Sequence, residues 1–206
     1  MQKITIFKNA FEKYGFSVWN KNIEIFDSGY IYDDVFSLEN KYKDFNKYDL
    51  IQIKKDDKYG IFNAWTLKTQ IPIEYADIRL ETHHLMIVFV CITADGLIYL
   101  YDIEGNILNE NLPFDEIMYY GFFEMNNKYL FLFRINNTMG MISTSGNIII
   151  EPSDKYYFEY YRRGDYIILR KIILTDETNL IVLYDVFGAH GILLYEDVDD
   201  YEFLDI

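Results

Sequence analysis

Apolar runs of roughly four to eight residues follow one another along almost the whole chain, separated by Asn, Asp, Gly and Ser. Runs of this length, alternating or continuous and bounded by turn formers, predict strands joined in hairpins. Leu50-Ile51-Gln52-Ile53-Lys54-Lys55 gives way to Asp56-Asp57-Lys58 and then Tyr59-Gly60-Ile61-Phe62-Asn63. Further on, Tyr129 to Ile135 gives way to Asn136-Asn137-Thr138 and then Met139-Gly140-Met141-Ile142-Ser143. Asp56-Asp57 and Asn136-Asn137 suit the left-handed backbone that a tight hairpin needs. A single helix of about two turns is predicted over Lys8–Tyr14, with Asn9 as its cap and Gly15 as its stop.

The strand pattern repeats. Tyr32-Asp33-Asp34-Val35, Tyr75-Ala76-Asp77-Ile78, Phe114-Asp115-Glu116-Ile117 and Tyr195-Glu196-Asp197-Val198 share an order of aromatic, acidic or small, acidic, branched aliphatic. The first three stand about 40 residues apart and the fourth about two such steps further on, with the missing copy expected near Asp154. A second landmark, Gly60, Tyr99, Gly140 and Val182, keeps the same beat. These landmarks predict an all-β fold, an array of about five antiparallel hairpin or meander repeats in one domain over 1–206. The approximate units are 11–43, 44–83, 84–122, 123–162 and 163–206. The first begins its strands near Phe16-Ser17-Val18-Trp19, and worn end units are expected of a repeat array.

Composition narrows what such an array does. Lys plus Arg number 19 and Asp plus Glu 33, a formal charge of −14. A surface this negative repels phosphate backbones and anionic lipid, so neither nucleic acid nor membrane is expected as a partner, and a basic protein is. No apolar run reaches the roughly 18 residues of a membrane span. The first residues, Met1 to Lys8, lack the apolar stretch of a signal peptide, so a cytoplasmic protein is expected. Cys91, the one cysteine, lies in Leu85–Ile92, the longest apolar run, and reads as a core residue rather than a nucleophile.

Several segments resemble the WG-repeat family, also called KWG repeats. Lys58-Tyr59-Gly60 matches its aromatic–glycine step, Thr69 to Ile78 its closing half, and Met139-Gly140 with Thr144 to Pro152 a further unit. Neither Trp19 nor Trp65 is followed by glycine, so the signature Trp-Gly pair is absent. The resemblance implies an open, twisted array of hairpins that binds other molecules without catalytic residues of its own. Closure into a five-bladed propeller-like ring is the alternative geometry.

No phosphate loop, nucleophile elbow or zinc motif is present. His83 and His84 are neighbours in a strand, where adjacent side chains point to opposite faces, so they do not form a metal pair. His190 stands in a glycine-rich turn. Catalytic, cofactor and metal sites are therefore read as none, with no cofactor. Carboxylates such as Asp33-Asp34 and Asp115-Glu116 recur with the repeat and read as turn-bonding groups. The candidate partner-binding residues are Tyr119, Tyr120, Tyr157, Tyr160 and Tyr161 from two aromatic clusters, with Glu196, Asp197, Asp199 and Asp200 from the densest acidic run. The function expected is a non-catalytic protein-binding module, one version being an immunity protein that neutralises a basic bacterial toxin. The alternatives are a binder of carbohydrate or another small ligand through the Tyr clusters, and an enzyme on a β-repeat frame.

Overall fold

The computed structural model of the chain describes residues 2–38, 49–83, 86–123, 128–156, 160–164, 166–174 and 180–199. Among these residues every named element is a strand, and the strands form five antiparallel sheets. The first sheet holds β1 (Gln2–Lys8), β2 (Tyr14–Asn20) and β3 (Ile23–Asp27). The second holds β4 (Asp34–Ser37), β5 (Leu50–Lys55), β6 (Lys58–Asn63) and β7 (Lys68–Tyr75). The third holds β8 (Asp77–His83), β9 (Met86–Ile92) and β10 (Ile98–Asp102). The fourth holds β11 (Glu116–Phe123), β12 (Lys128–Ile135), β13 (Thr138–Ser143) and β14 (Ile148–Ser153). The fifth holds β15 (Tyr160–Arg163), β16 (Tyr166–Leu174), β17 (Leu180–Phe187) and β18 (Leu193–Val198). Each is a meander in chain order, so the predicted all-β array of antiparallel hairpin units is present. The chain divides into two compact units. One is Met1–His83 with Ile87–Gly96 and Leu100–Asn106; the other is His84–Met86 with Leu97–Tyr99 and Ile107–Ile206.

The sheets open earlier than the units read from sequence, because one cross-strand pair fixes the register of all five. Tyr14 faces Tyr32, Tyr59 faces Tyr75, Ile98 faces Phe114, Met139 faces Ser153 and Tyr184 faces Val198. The residue after the second member then joins the next sheet. Asp33 N–H donates to Lys54 O, Ala76 N–H to Ile92 O and Asp115 N–H to Arg134 O, each at 2.8 Å. β7 ends at Tyr75 and β8 begins at Asp77, so a single residue makes that crossing.

This register explains the aromatic–glycine step. Gly60 and Gly140 follow the first member of the pair, where the partner strand bulges toward them. A Cβ on Gly60 would lie 2.8 Å from Ile71 O, and one on Gly140 would lie 2.9 Å from Ile150 O. Glycine is required there by the neighbouring backbone rather than by φ. Tyr14-Gly15 makes the same step at the start of β2, where a Cβ would collide with Gly29 O. The helix expected over Lys8–Tyr14 is therefore a correction: the segment is the end of β1, a turn and the start of β2. Asn9 does cap it, its Oδ1 accepting from Phe11 N–H and Lys13 N–H, but the backbone closes a turn with Glu12 at φ 61. The fifth copy is also corrected. Opposite Val198 stands Tyr184, so Asp185 rather than Val182 takes the glycine place.

The second member of the register pair feeds the core in most sheets. Tyr32, Tyr75 and Phe114 are buried. In the first unit Phe16, Val18, Tyr32, Val35, Ile51, Ile53, Phe62 and Ala64 form one cluster, with Phe16 and Phe62 rings 5.0 Å apart. In the second, Leu130, Leu132, Met139, Met141, Ile150, Ile167, Leu169 and Phe187 form another around Tyr120. Burying each large side chain of this kind contributes roughly 1.5–3 kcal/mol. Cys91 is buried in β9, and burial pushes its thiol pKa up, as befits a core residue. No helix among the described residues is long and apolar enough to cross a membrane.

Candidate partner-binding edge on the last strand

β18 is the outer strand of the fifth sheet and, like β3 in the first, keeps little of its length in the core. β7 buries Ile71 and Tyr75, β14 buries Ile150, β18 buries Val198 and β3 has no fully buried residue. Ile192, Leu193, Leu194 and Tyr195 are consecutive and 64%, 43%, 46% and 50% exposed. Successive strand side chains point to opposite faces. Leu193, Leu194 and Tyr195, three consecutive exposed residues of β18, therefore leave both faces open at the sheet's edge, with one side of the strand unpaired among the described residues.

The acidic run continues straight from this strip. Asp197 adopts φ 60 where β18 bulges opposite Asp185. Asp185 is 1% exposed, and standing in the glycine place it sends its carboxylate into a network drawn from three strands and a turn. Lys171 Nζ lies 2.6 Å from Asp185 Oδ1 and 2.5 Å from Asp197 Oδ1, with Glu196 Oε1 at 4.0 Å. Asp197 N–H donates to Asp185 Oδ1 at 3.0 Å, and the Tyr156 hydroxyl donates to Asp185 Oδ2 at 2.9 Å. Burial alone would lower the Lys171 pKa, but its hydrogen bonds to the two carboxylates outweigh that and raise it. Burial together with the neighbouring Asp185 pushes the Tyr156 hydroxyl pKa up, so the hydroxyl stays a donor. This network, buried at Lys171 and Asp185, ties β18 to β16 and β17 beneath the exposed strip.

The sequence-derived candidates separate accordingly. Glu196, Asp197 and Asp199 are exposed beside the apolar strip, with Asp197 half committed to Lys171. Tyr119 is half-buried against the Phe131 and Tyr129 rings. Tyr120 is a correction: it is 4% exposed within the core, at the point where β11 shifts register against β12 between Tyr119 and Gly121, and it offers no surface to a partner. The backbones of Tyr160 and Tyr161 pair with Leu169 and Ile168 in β15 and β16. Tyr157, Asp200 and His84 lie outside the described residues. His190 is exposed in the turn between β17 and β18. Among the described residues, no three His, Cys, Asp or Glu are grouped to hold a metal.

The 195–198 landmark also means something other than the sequence implied. It lies inside β18, whereas Tyr32, Tyr75 and Phe114 stand at sheet junctions; by register the junction acid of this sheet is Asp199. Sequence reasoning missed Lys171, Asp185 and Tyr156, which come together only through the register. The signal for Asp185 was present: Tyr184-Asp185-Val186 aligns with Tyr59-Gly60-Ile61.

No protein-family model matches this chain, and no curated protein does. Among solved structures, one similar chain is that of BBS1N in complex with ARL6DN, at TM-score 0.33 and 11% identity, covering 96% of this chain and 80% of that one.

Proposed function

We propose that this protein is a non-catalytic binding module that docks a basic, extended segment of a partner protein along β18. The observation that supports it is the run of four exposed apolar residues leading into and along an edge strand, continuous with Glu196, Asp197 and Asp199. An edge strand offers backbone donors and acceptors to an incoming strand, and its side chains set which strand fits. Acidic residues at one end and a chain charge of −14 select a Lys- or Arg-rich occupant and speed its approach. A basic bacterial toxin held by its immunity protein is one partner with this chemistry, and degenerate WG repeats are the family reading that accompanies it.

The test is a titration with a synthetic ten-residue peptide of alternating Lys and Val, against its Glu–Val counterpart, followed by backbone amide shifts. Shifts concentrated on residues 192–198 for the basic peptide alone support the proposal. A Leu193→Lys/Leu194→Lys variant should then weaken binding about tenfold. Equal binding of the acidic peptide, or shifts centred elsewhere, would sink it.

A further inference from the structure

The first sheet carries a pocket of opposite electrostatic character. Lys3, Thr5, Trp19, Lys21 and Asn22 line a cavity of about 290 Å³. Register builds it: Lys3 faces Trp19 across β1 and β2, so ammonium stem and indole share one side of the sheet. Ile4, Phe16 and Val18, on the opposite side, go to the core. The Trp19 Nε1–H donates to Ser17 Oγ at 2.7 Å, which fixes the ring's orientation. Lys21 occupies the tight turn between β2 and β3 at φ 57, beside Asn22.

The lysines of this unit fall into two sets. Lys8 holds Glu12, Lys13 holds Asp33 and Lys54 holds Asp57, whereas Lys55, Lys58 and Lys68 hold no carboxylate among the described residues. Lys3 and Lys21 hold no carboxylate among the described residues, although Glu24 faces Trp19 from β3. Two ammonium groups, a half-buried indole, a hydroxyl and an amide line this space, which admits a single sugar ring. An indole face takes the C–H face of a pyranose, Thr5 and Asn22 take hydroxyls, and the ammonium groups take a fixed negative charge.

We infer that this pocket binds an anionic monosaccharide, a sugar ring bearing one carboxylate or phosphate. The site lies in a different unit from β18 and stands or falls apart from the docking proposal.

Trp19 reports on it directly. In a Trp65→Phe background it is the one indole of the chain, since the sequence has 2 tryptophans. Fluorescence is titrated with glucuronate, glucose 6-phosphate, glucose and inorganic phosphate, each to about 10 mM, the range of weak single-site binding. The expected result is saturable change with glucuronate, glucose 6-phosphate or both, the responding sugar showing whether carboxylate or phosphate is read. Lys3→Ala/Lys21→Ala should weaken it about tenfold and Lys3→Arg/Lys21→Arg should keep it. Circular dichroism of each variant confirms that it folds. An equal response to glucose, a response to phosphate alone matching that to the sugar phosphate, or no response to either anionic sugar would overturn the inference.

Discussion

Lys171 and Asp185 form a buried ion pair across β16 and β17, 2.6 Å apart with side-chain exposures of 9% and 1%. The acid stands where Gly60 and Gly140 stand in other sheets. Removing Asp185 leaves Lys171 buried with only the half-exposed Asp197 to balance its charge, close to the costly case of a broken buried pair. Asp185→Ala should lower stability by about 3–5 kcal/mol in guanidinium unfolding. Lys171→Met/Asp185→Gly, which restores the glycine and removes the charge together, should recover most of that loss.

The alkaline limb follows from the same lysine. Its pKa is raised above the ordinary 10.5, so its stabilisation is fully present below pH 10.5 and is lost as pH rises through the higher folded value. The difference in unfolding midpoint between wild type and Lys171→Met should stay constant from neutral pH to about 10 and shrink above 10.5.

Asp33 gives the acid counterpart. The Lys13 ammonium, then the Asp56 N–H at 2.6 Å, hold its carboxyl below the ordinary 3.8. That stabilisation is present above pH 3.8 and is lost as pH falls through the lower folded value. The gap between wild type and Asp33→Asn in urea should therefore be flat at neutral pH and close on acidification below 3.8. Hydrogen exchange at the Asp56 amide should quicken in Asp33→Ala, and at the Asn136 amide in Asp115→Ala, because each carboxylate bonds that turn N–H.

Gly60→Ala and Gly140→Ala should each cost about 1–3 kcal/mol, since backbone carbonyls 2.8 and 2.9 Å away must move. Gly188→Ala is the control: its nearest neighbour is Leu194 Cδ1 at 3.5 Å, ordinary contact, and thermal unfolding should barely change.

Cys91 should resist a thiol reagent at neutral pH in the folded protein and react at once in denaturant.

Much of this architecture was legible in the sequence because its cause is local. The Asp56-Asp57 turn has both residues at positive φ, 51 and 59, as paired acids between apolar runs implied. The role of Asp33 and Asp115 as turn-bonding groups was legible too. Lys8–Tyr14 misled because Asn9 caps a turn through its side chain much as it would a helix, sharing the bond from Phe11 N–H but reaching on to Lys13 N–H. Lys13-Tyr14-Gly15 carried the right signal, since it repeats Lys58-Tyr59-Gly60. The candidate sites were less legible. Tyr120 and Tyr119 are adjacent, one core and the other half-buried, at a register shift in β11 that the sequence does not announce. The network of Lys171, Asp185, Asp197 and Tyr156 needs four separated positions and a bulge, none of which composition reveals.

The one-residue crossing at Ala76 leaves nothing between the second and third sheets to absorb a change in length. Deleting that residue would shift everything downstream by one position and turn core side chains outward. Gains and losses of residues during divergence must then gather in the hairpin turns, while the crossings keep their length. An alignment of relatives should be gapped at the tips and ungapped at residues 33, 76 and 115.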